Sequence, residues 1–486
     1  MEQSLMASTL NDVRVRLEQH GQEHVLRFWN DLNKTERQAL LRDIEAIDFA
    51  LMERLIREWV VSEPAQETFK NICPVPVIPK AELNRPDAKE AWDAGEQALR
   101  DGRVGLFLVA GGQGTRLGFE GPKGAYPIGP ISQRSLFAFH AEKIHNLQRR
   151  YACTIPWYIM VSDTNDDATQ SFFRENDFFG LQQNDVKFFR QRMVPCVSEQ
   201  GKFLLDEPGR LAMNPNGHGG CIPAMVENLV TKDARDRGVD TLSYFQVDNW
   251  AVKVADPFFI GYHVLRNAEM SSKSHRKSMP REAVGVHCLC DGEYRVIEYS
   301  ELDIYPQLLK VDDDGNVVCF AGNPAIHVLS VDFVDRIYRQ YDTFPWHRAH
   351  KKIPYINDKG DLVQPQRPNG YKFETFVFDA LRFTTHEPVA LEIEPPGEYT
   401  PIKQFNGDNS VVAAWESMNR YWAEWLEAMG WPVPRNARGD VAIKIEISPQ
   451  FALSKEEFVE RSAGCLWPAS HDVGIGPNGE WLTPVE

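Results

Sequence analysis

Cysteine is sparse and scattered in this chain of 486 residues: there are eight, none forms a Cys-x-x-Cys pair, and the nearest two, Cys288 and Cys290, flank a single residue in a strand-like run. That spacing argues against a zinc site and against a disulfide framework. Long apolar runs are missing as well, since no stretch approaches the roughly 18 uninterrupted apolar residues of a membrane helix. The N-terminus lacks a basic-then-apolar signal pattern, so the cytoplasm is the expected compartment and a membrane is not an expected partner. Positive charge is the minority, with 53 Lys and Arg against 69 Asp and Glu and a formal charge of -16. Such a field repels nucleic acid, which is therefore not an expected partner. A phosphate-bearing ligand would have to be held by local basic residues, amide dipoles and a metal ion.

Low-complexity tracts and internal repeats are also absent, and with 43% hydrophobic and 25% charged residues the whole chain is expected to fold. Its length exceeds the roughly 250–300 residues that one core organises, so one large domain with smaller parts around it is expected. From Leu10 to about Val61 apolar residues (Val13, Leu17, Val25, Phe28, Leu32) recur at helical steps, and the proline-rich stretch Cys73–Pro79 ends that pattern. A helix over Ala88–Arg100 precedes Val104–Val109, a continuous apolar run typical of a strand buried on both faces. Helical and strand patterns then alternate: helix Ser135–Arg150, strand Trp157–Val161, helix Asp167–Asn176, helix Cys221–Lys232, strand Thr241–Val247. The fold class expected is α/β, a doubly wound, mixed and mainly parallel sheet. The division expected is an N-terminal helical segment (1–100), a catalytic domain (101–400) and a small C-terminal domain (401–486) that carries the tryptophan-rich helix Val411–Met429.

The strand ending at Val109 runs into Ala110-Gly111-Gly112-Gln113-Gly114-Thr115-Arg116-Leu117-Gly118, with Pro122-Lys123 four residues on. Glycines let a backbone approach phosphates and aim N–H groups at them, while Arg116 and Lys123 add positive charge, so a triphosphate fits. A P-loop needs Lys then Ser or Thr directly after its last glycine, and a dinucleotide fingerprint needs glycine where Leu117 stands, so both are excluded. The bland alternative is a plain strand-to-helix turn. Asp248 ends an apolar strand at the sheet's carboxyl edge, where α/β ligands bind and where a hard carboxylate suits Mg2+. Its bland alternative is a turn or N-cap aspartate.

Leu108–Gly118 with Pro122-Lys123 resembles the nucleotide-binding loop of sugar nucleotidyltransferases, in the form found in eukaryotic-type UDP-N-acetylglucosamine pyrophosphorylases. Further segments resemble that family in its own order: Phe188-Phe189-Arg190-Gln191, Pro215-Asn216-Gly217-His218-Gly219-Gly220, Val247-Asp248-Asn249 with Val252–Pro257, Ile297-Glu298-Tyr299-Ser300-Glu301, Gly322-Asn323, Lys351–Tyr355, and Pro368–Glu374 with Phe376–Asp379. The resemblance extends to about Phe405, and the stretch beyond matches poorly.

The resemblance implies in-line attack of a sugar 1-phosphate on the α-phosphorus of UTP, releasing pyrophosphate and giving a UDP-sugar. Catalysis of that kind is mainly positioning and charge neutralisation. It implies Arg116, Lys123 and Lys403 as catalytic cations on the phosphates, and Gly111, Gly112 and Gly114 along the nucleotide. Gln191 would read the uracil edge, Gly217 and His218 would line the nucleoside, and Asp248 would place Mg2+. Gly285, Glu298, Asn323 and, more weakly, Lys372 match positions that contact the sugar, and Phe376 and Phe378 would wall its N-acetyl group. The bland alternatives are a surface role for Lys403 and a core role for the two phenylalanines.

Three departures bear on the sugar. His218 stands where N-acetylglucosamine members have Asn, and Gly-His-Gly is familiar from UDP-glucose and broad UDP-sugar pyrophosphorylases. Gln404 replaces an Asn, and Pro324 replaces an aliphatic residue. The expected product is UDP-N-acetylglucosamine. One rival is the same chemistry with glucose 1-phosphate; another is a non-catalytic UDP-sugar sensor, which Arg116, Lys123, Asp248 and Lys403 together argue against. The remaining histidines, His347 and His350 among them, read as structural or exposed. Oligomeric state is not legible.

Overall fold

A computed structural model describes residues 2–62, 67–80, 85–395, 397–464 and 472–482. The chain gathers into two compact units, neither of them a continuous stretch. The first comprises Met1–Thr68, Gln191–Gly220 and Thr343–Val377, and the second Phe69–Arg190, Cys221–Asp342 and Phe378–Glu486. Packing therefore groups the chain differently from the sequential boundaries at 100 and 400, which follow changes in hydrophobic pattern.

In the first unit the helical periodicity of the N-terminus becomes α1 (Glu2–Gln19), α2 (Lys34–Glu45) and α3 (Phe49–Ile56). Asn33 and Glu36 start α2 with a reciprocal capping box, and Asp48 caps α3. The helices bury Leu17, Leu40, Ile44 and Leu55 against Val197, Phe203, Leu211 and Phe373. Phe373 lies on the middle strand of a three-stranded antiparallel sheet, Gly370–Glu374, flanked by His347–Lys351 and Val197–Ser198.

The second unit is built on an 11-stranded mixed sheet. Its strands are β1 (Ile72–Pro74), β2 (Val104–Val109), β3 (Trp157–Val161), β4 (Val186–Arg190), β5 (Thr241–Gln246), β6 (Met270–Arg276), β7 (Val286–Cys290), β8 (Glu293–Ile297), β9 (Ala321–Gly322), β10 (His327–Ser330) and β11 (Val389–Ile393). β4, β3, β2 and β5 lie side by side and parallel. Nearly every residue of β2, β3 and β5 is buried, as the apolar runs predict for strands covered on both faces. Beyond β5 the pairing turns largely antiparallel through β10, β6, β9, β7 and β1, although β11 joins β6 in parallel.

Two helices of this unit, α4 (Pro86–Arg100) and α5 (Leu136–Tyr151), match their sequence signals within two residues. The next, α6 (Asp166–Glu175), does so too. The single helix expected over Cys221–Lys232 is instead two, α7 (Cys221–Glu227) and α8 (Val230–Asp236). Leu229 between them is left-handed at φ 58°, and the Asn228 amide takes the Ala224 carbonyl at 2.9 Å. An Asn that bonds the preceding turn and a residue outside right-handed space end a helix despite continuous periodicity. Helix α9 (Pro257–Leu265) crosses α4 with backbone touching backbone, because a Cβ on Gly95 would collide with Pro257 and one on Gly261 with Ala91.

The C-terminal stretch contributes α10 (Val411–Ala428) and a small sheet of Ile445–Ile447, Val473–Ile475 and Trp481–Leu482. Trp422, Leu426, Ile445 and Ile475 belong to the same buried cluster as Leu106, Phe139 and Ile159 of the large sheet and its helices. Polar contacts fix the join: Glu446 accepts from the Ile131 amide at 2.8 Å, and the Trp415 indole donates to the Ile128 carbonyl at 2.7 Å.

Candidate active site

Strand β2 leads through α5 to β3 on one side, whereas β5 returns to pair with β2 on the other, so the strand order reverses between β2 and β5. In an open α/β sheet that reversal leaves a crevice beyond the carboxyl ends of the two strands. The glycine-rich loop leaves β2 there, and Val247 and Asp248 leave β5 beside it, the Val247 amide donating to the Val109 carbonyl at 3.1 Å. The loop folds back on itself, with the Gly114 amide on the Gly121 carbonyl at 2.9 Å and the Lys123 amide on the Gly112 carbonyl at 3.1 Å. This return brings Lys123 to the start of the loop that a linear motif shows only as a later Pro-Lys.

Lys123 Nζ donates to Asp248 Oδ2 at 3.0 Å, with 18% of the lysine side chain and 10% of the aspartate side chain exposed. Arg116 is exposed on the same loop and makes no side-chain hydrogen bond or ion pair among the described residues. The segment that carries Lys403 joins this edge through the backbone of its neighbours. The Asp248 carbonyl accepts from the Ile402 amide at 2.9 Å, Asn249 Oδ1 from the Thr400 amide at 2.9 Å, and the Asn249 amide group donates to the Glu398 carbonyl at 2.8 Å. Lys403 itself is exposed.

Beneath that segment lies a buried charge network. Lys273, fully buried, donates to Asp256 at 2.6 Å and to Glu398, and Lys253 reaches Glu398 at 3.2 Å. Burial alone would raise the Glu398 carboxyl, but the two lysines hold it below the usual carboxylate range. The segment carrying Tyr399 and Lys403 is thus anchored by ion pairs below and hydrogen bonds beside.

Gly285, Glu298 and Asn323 come together in the antiparallel part of the sheet. The Asn323 amide donates to the Gly285 carbonyl at 2.8 Å, and a Cβ on Gly285 would lie 3.1 Å from Glu298 Oε1. Phe378 belongs to the same unit and is buried.

Gln191, Gly217, His218, Lys372 and Phe376 belong to the first unit. Gln191 is buried, yet its amide makes no side-chain hydrogen bond to a described residue. Gly217 (φ +81°) and Gly219 pass so close to the Thr375–Phe376 backbone that a side chain on either would collide with it. His218 Nδ1 accepts from the Val377 amide at 3.1 Å, and its ring stacks on Phe376 at 5.2 Å, with His347 on Phe376 at 4.3 Å. His347 therefore belongs to the aromatic surroundings of a predicted site residue. Lys372 sits on the central strand of the small antiparallel sheet, opposite Ala349.

Three residues that sequence reasoning passed over shape this edge. Ser162 donates to the Gly111 carbonyl at 2.9 Å, and Asn165 to the Ala110 carbonyl at 2.7 Å, so the end of β3 fixes the glycine loop. Tyr399 stacks on His275 at 5.2 Å. Burial, and then the charges of Asp248, Glu282 and Glu298, push its phenol up. Its only sequence signal is its place four residues before Lys403.

A parallel core with a glycine loop, an ammonium–carboxylate pair and two further cations at its switch point is the architecture of a nucleotidyltransferase. Residues 49–413 match the family model described as UTP–glucose-1-phosphate uridylyltransferase. The chain is 35% identical to UDP-N-acetylglucosamine diphosphorylase 2 of Arabidopsis thaliana, covering 95% of this chain and 93% of that one. It is also 35% identical to UDP-N-acetylhexosamine pyrophosphorylase-like protein 1 of Homo sapiens, covering 92% and 93%. The crystal structure of the uridine diphosphate N-acetylglucosamine pyrophosphorylase from Trypanosoma brucei in complex with inhibitor superposes with a TM-score of 0.77 at 26% identity, over 94% of this chain and 95% of that one. The chain belongs to this uridylyltransferase family, whose substrates are UTP and a sugar 1-phosphate and whose products are a UDP-sugar and pyrophosphate.

Proposed function

We propose that this protein makes UDP-N-acetylglucosamine and pyrophosphate from UTP and N-acetylglucosamine 1-phosphate in the cytoplasm. The observation that carries the reading is the Lys123–Asp248 pair at the switch point, with the Lys403 segment hydrogen-bonded to the same Asp248–Asn249 turn. Phosphoryl-type transfer needs little covalent help from the protein, so cations aimed at the triphosphate and a fixed acceptor do most of the catalysis. Arg116 and Lys123 hold the β and γ phosphates that leave, and Lys403 neutralises charge at the phosphates from the opposite segment. Gly111, Gly112 and Gly114 line the nucleotide, and Gln191, Gly217 and His218 serve the nucleoside. Gly285, Glu298, Asn323, Phe376, Phe378 and Lys372 serve the sugar.

Among the described residues no group of three or more His, Cys, Asp or Glu gathers to cage a metal. A single carboxylate still fits Mg2+, which takes one or two carboxylates and fills its octahedron with phosphate oxygens and water. Asp248 is the residue that would hold it, and the ion would supply charge neutralisation at the α-phosphate.

No helix among the described residues is long and apolar enough to cross a membrane. The test is pyrophosphate release from UTP with each sugar 1-phosphate in Mg2+. Turnover preferring the N-acetylated sugar supports the reading, and binding of UDP-sugar without turnover in either direction defeats it. His218 supports a second reading, glucose 1-phosphate as the acceptor, and the same assay decides between the two.

A further inference from the structure

Tyr399 lies where the nucleotide edge meets the residues assigned to the sugar. Its segment is tied to the Asp248–Asn249 turn through the Thr400 and Ile402 amides. Its ring stacks on His275 with centroids 5.2 Å apart and 21° between planes. His275 pairs across the sheet with Gly322, the residue before Asn323, and its Nε2 is 2.9 Å from Glu282. Tyr399 therefore spans from Asp248 to the Gly285, Glu298 and Asn323 group within one unit.

The residue keeps some solvent exposure, and its hydroxyl makes no hydrogen bond to a described residue. Beyond its burial, the charges of Asp248, Glu282 and Glu298 act on the phenol. A phenol is both donor and acceptor, and it can satisfy an anionic oxygen without adding a formal charge. Ring packing on His275 needs a phenyl group and has no use for the hydroxyl, so the oxygen at this position is unexplained by the fold.

We propose that the Tyr399 hydroxyl contacts substrate, donating a hydrogen bond to a phosphate oxygen of the sugar 1-phosphate. The proposal rests on the uridylyltransferase reading above. It names a phosphate and not a sugar hydroxyl because Tyr399 sits between the Asp248 edge and the Glu298 group, where the phosphate joins the pyranose to the reacting α-phosphorus.

The test is Tyr399→Phe, which keeps the ring. Steady-state kinetics should show KM for the sugar 1-phosphate raised about tenfold or more, the loss expected for one hydrogen bond to a charged group. KM for UTP and the melting temperature should stay unchanged. The loss should be equal for N-acetylglucosamine 1-phosphate and glucose 1-phosphate. An unchanged KM for both overturns the proposal, a rise shared equally with UTP overturns it, and a loss confined to one sugar overturns the phosphate assignment.

Calorimetric titration of each sugar 1-phosphate into wild type and Tyr399→Phe, with Mg2+ and a non-hydrolysable UTP analogue, separates this contact from the parent reading. If wild type binds but does not turn over, the catalytic reading fails, while about tenfold weaker binding by the variant still supports the contact. Equal binding by both proteins, or none by wild type, defeats it.

Discussion

Lys123 and Asp248 stand 125 positions apart in sequence, yet their side chains meet at 3.0 Å where the glycine loop returns to the edge of β5. In the free protein each satisfies the other's charge. In the mechanism proposed above, the triphosphate offers Lys123 a second acceptor. Lys123→Ala should therefore lower kcat by about two powers of ten, or ~3 kcal/mol of transition-state stabilisation. Affinity for UDP-sugar, which carries no leaving pyrophosphate, should change much less. Stopped-flow turnover alongside equilibrium UDP-sugar binding checks this, and an unchanged kcat removes Lys123 from the chemistry.

Asp248→Asn keeps the size of the side chain and removes its charge. The variant should retain wild-type near-ultraviolet circular dichroism and lose its response to added Mg2+ over the range that activates the wild type. It should also melt at a lower temperature, because Lys123 is left without its counter-ion in a largely buried position. Activation by Mg2+ identical to that of the wild type would make Asp248 a structural residue.

Much of the candidate nucleotide edge is legible in the sequence as a strand, a glycine loop and a strand-end aspartate, because those signals are local. A continuous apolar run followed by glycines marks β2 and its loop, and Asp248 follows a strand signal in which Leu242, Tyr244, Phe245 and Val247 are interspersed with Thr241, Ser243 and Gln246. The grouping of the chain was not legible, since the contacts of α1–α3 with Val197, Phe203 and Phe373 join segments far apart in sequence. The break between α7 and α8 was hidden because hydrophobic periodicity continues through Leu229 while the backbone does not. Ser162, Asn165 and Tyr399 escaped notice because each acts by facing a segment that folding alone brings near.

Lys143 gives a pH-dependent signature unconnected with catalysis. It is buried in α5, donates to the Val252 carbonyl at 2.8 Å and to the Trp250 carbonyl, and burial pulls its ammonium down to about 7 from 10.5. A depressed folded-state value means that the native protein binds fewer protons than the unfolded chain between these limits. Stability from this group is thus fully present above pH 10.5 and is lost as pH falls through about 7. The unfolding free energy of wild type minus that of Lys143→Met should rise with pH between 7 and 10, on the order of 1 kcal/mol per pH unit. Denaturant titrations at several pH values measure it, and a flat difference contradicts the assignment.

The crossing of α4 and α9 predicts a purely structural variant. Gly95→Ala puts a methyl group into the Pro257 backbone, so the helices must separate. Overpacking of this kind costs about 1–3 kcal/mol, to be read as a lower melting temperature with KM for both substrates unchanged. A variant as stable as the wild type would mean that the two helices move apart freely.

Sugar choice is the remaining question. N-acetylglucosamine 1-phosphate should be preferred to glucose 1-phosphate, but modestly, because a wall that only fills against an acetyl group discriminates by about 1–3 kcal/mol, or roughly 10- to 200-fold. Phe378→Ala should erode that ratio while KM for UTP holds, since the uracil role is proposed for Gln191. His218 bears on the ratio through its neighbours: its Nδ1 accepts from the Val377 amide at 3.1 Å, and its ring stacks on Phe376. In His218→Asn the amide oxygen can still take the Val377 hydrogen bond, but the stacking on Phe376 is gone, while the His347 ring stays beside Phe376. The kcat/KM ratio of the two sugar phosphates should therefore shift in His218→Asn with UTP kinetics intact. A ratio equal to that of the wild type would show that His218 supports the loop without setting specificity, and a wild-type ratio favouring glucose 1-phosphate from the outset would change the product assigned here while leaving uridylyl transfer in place.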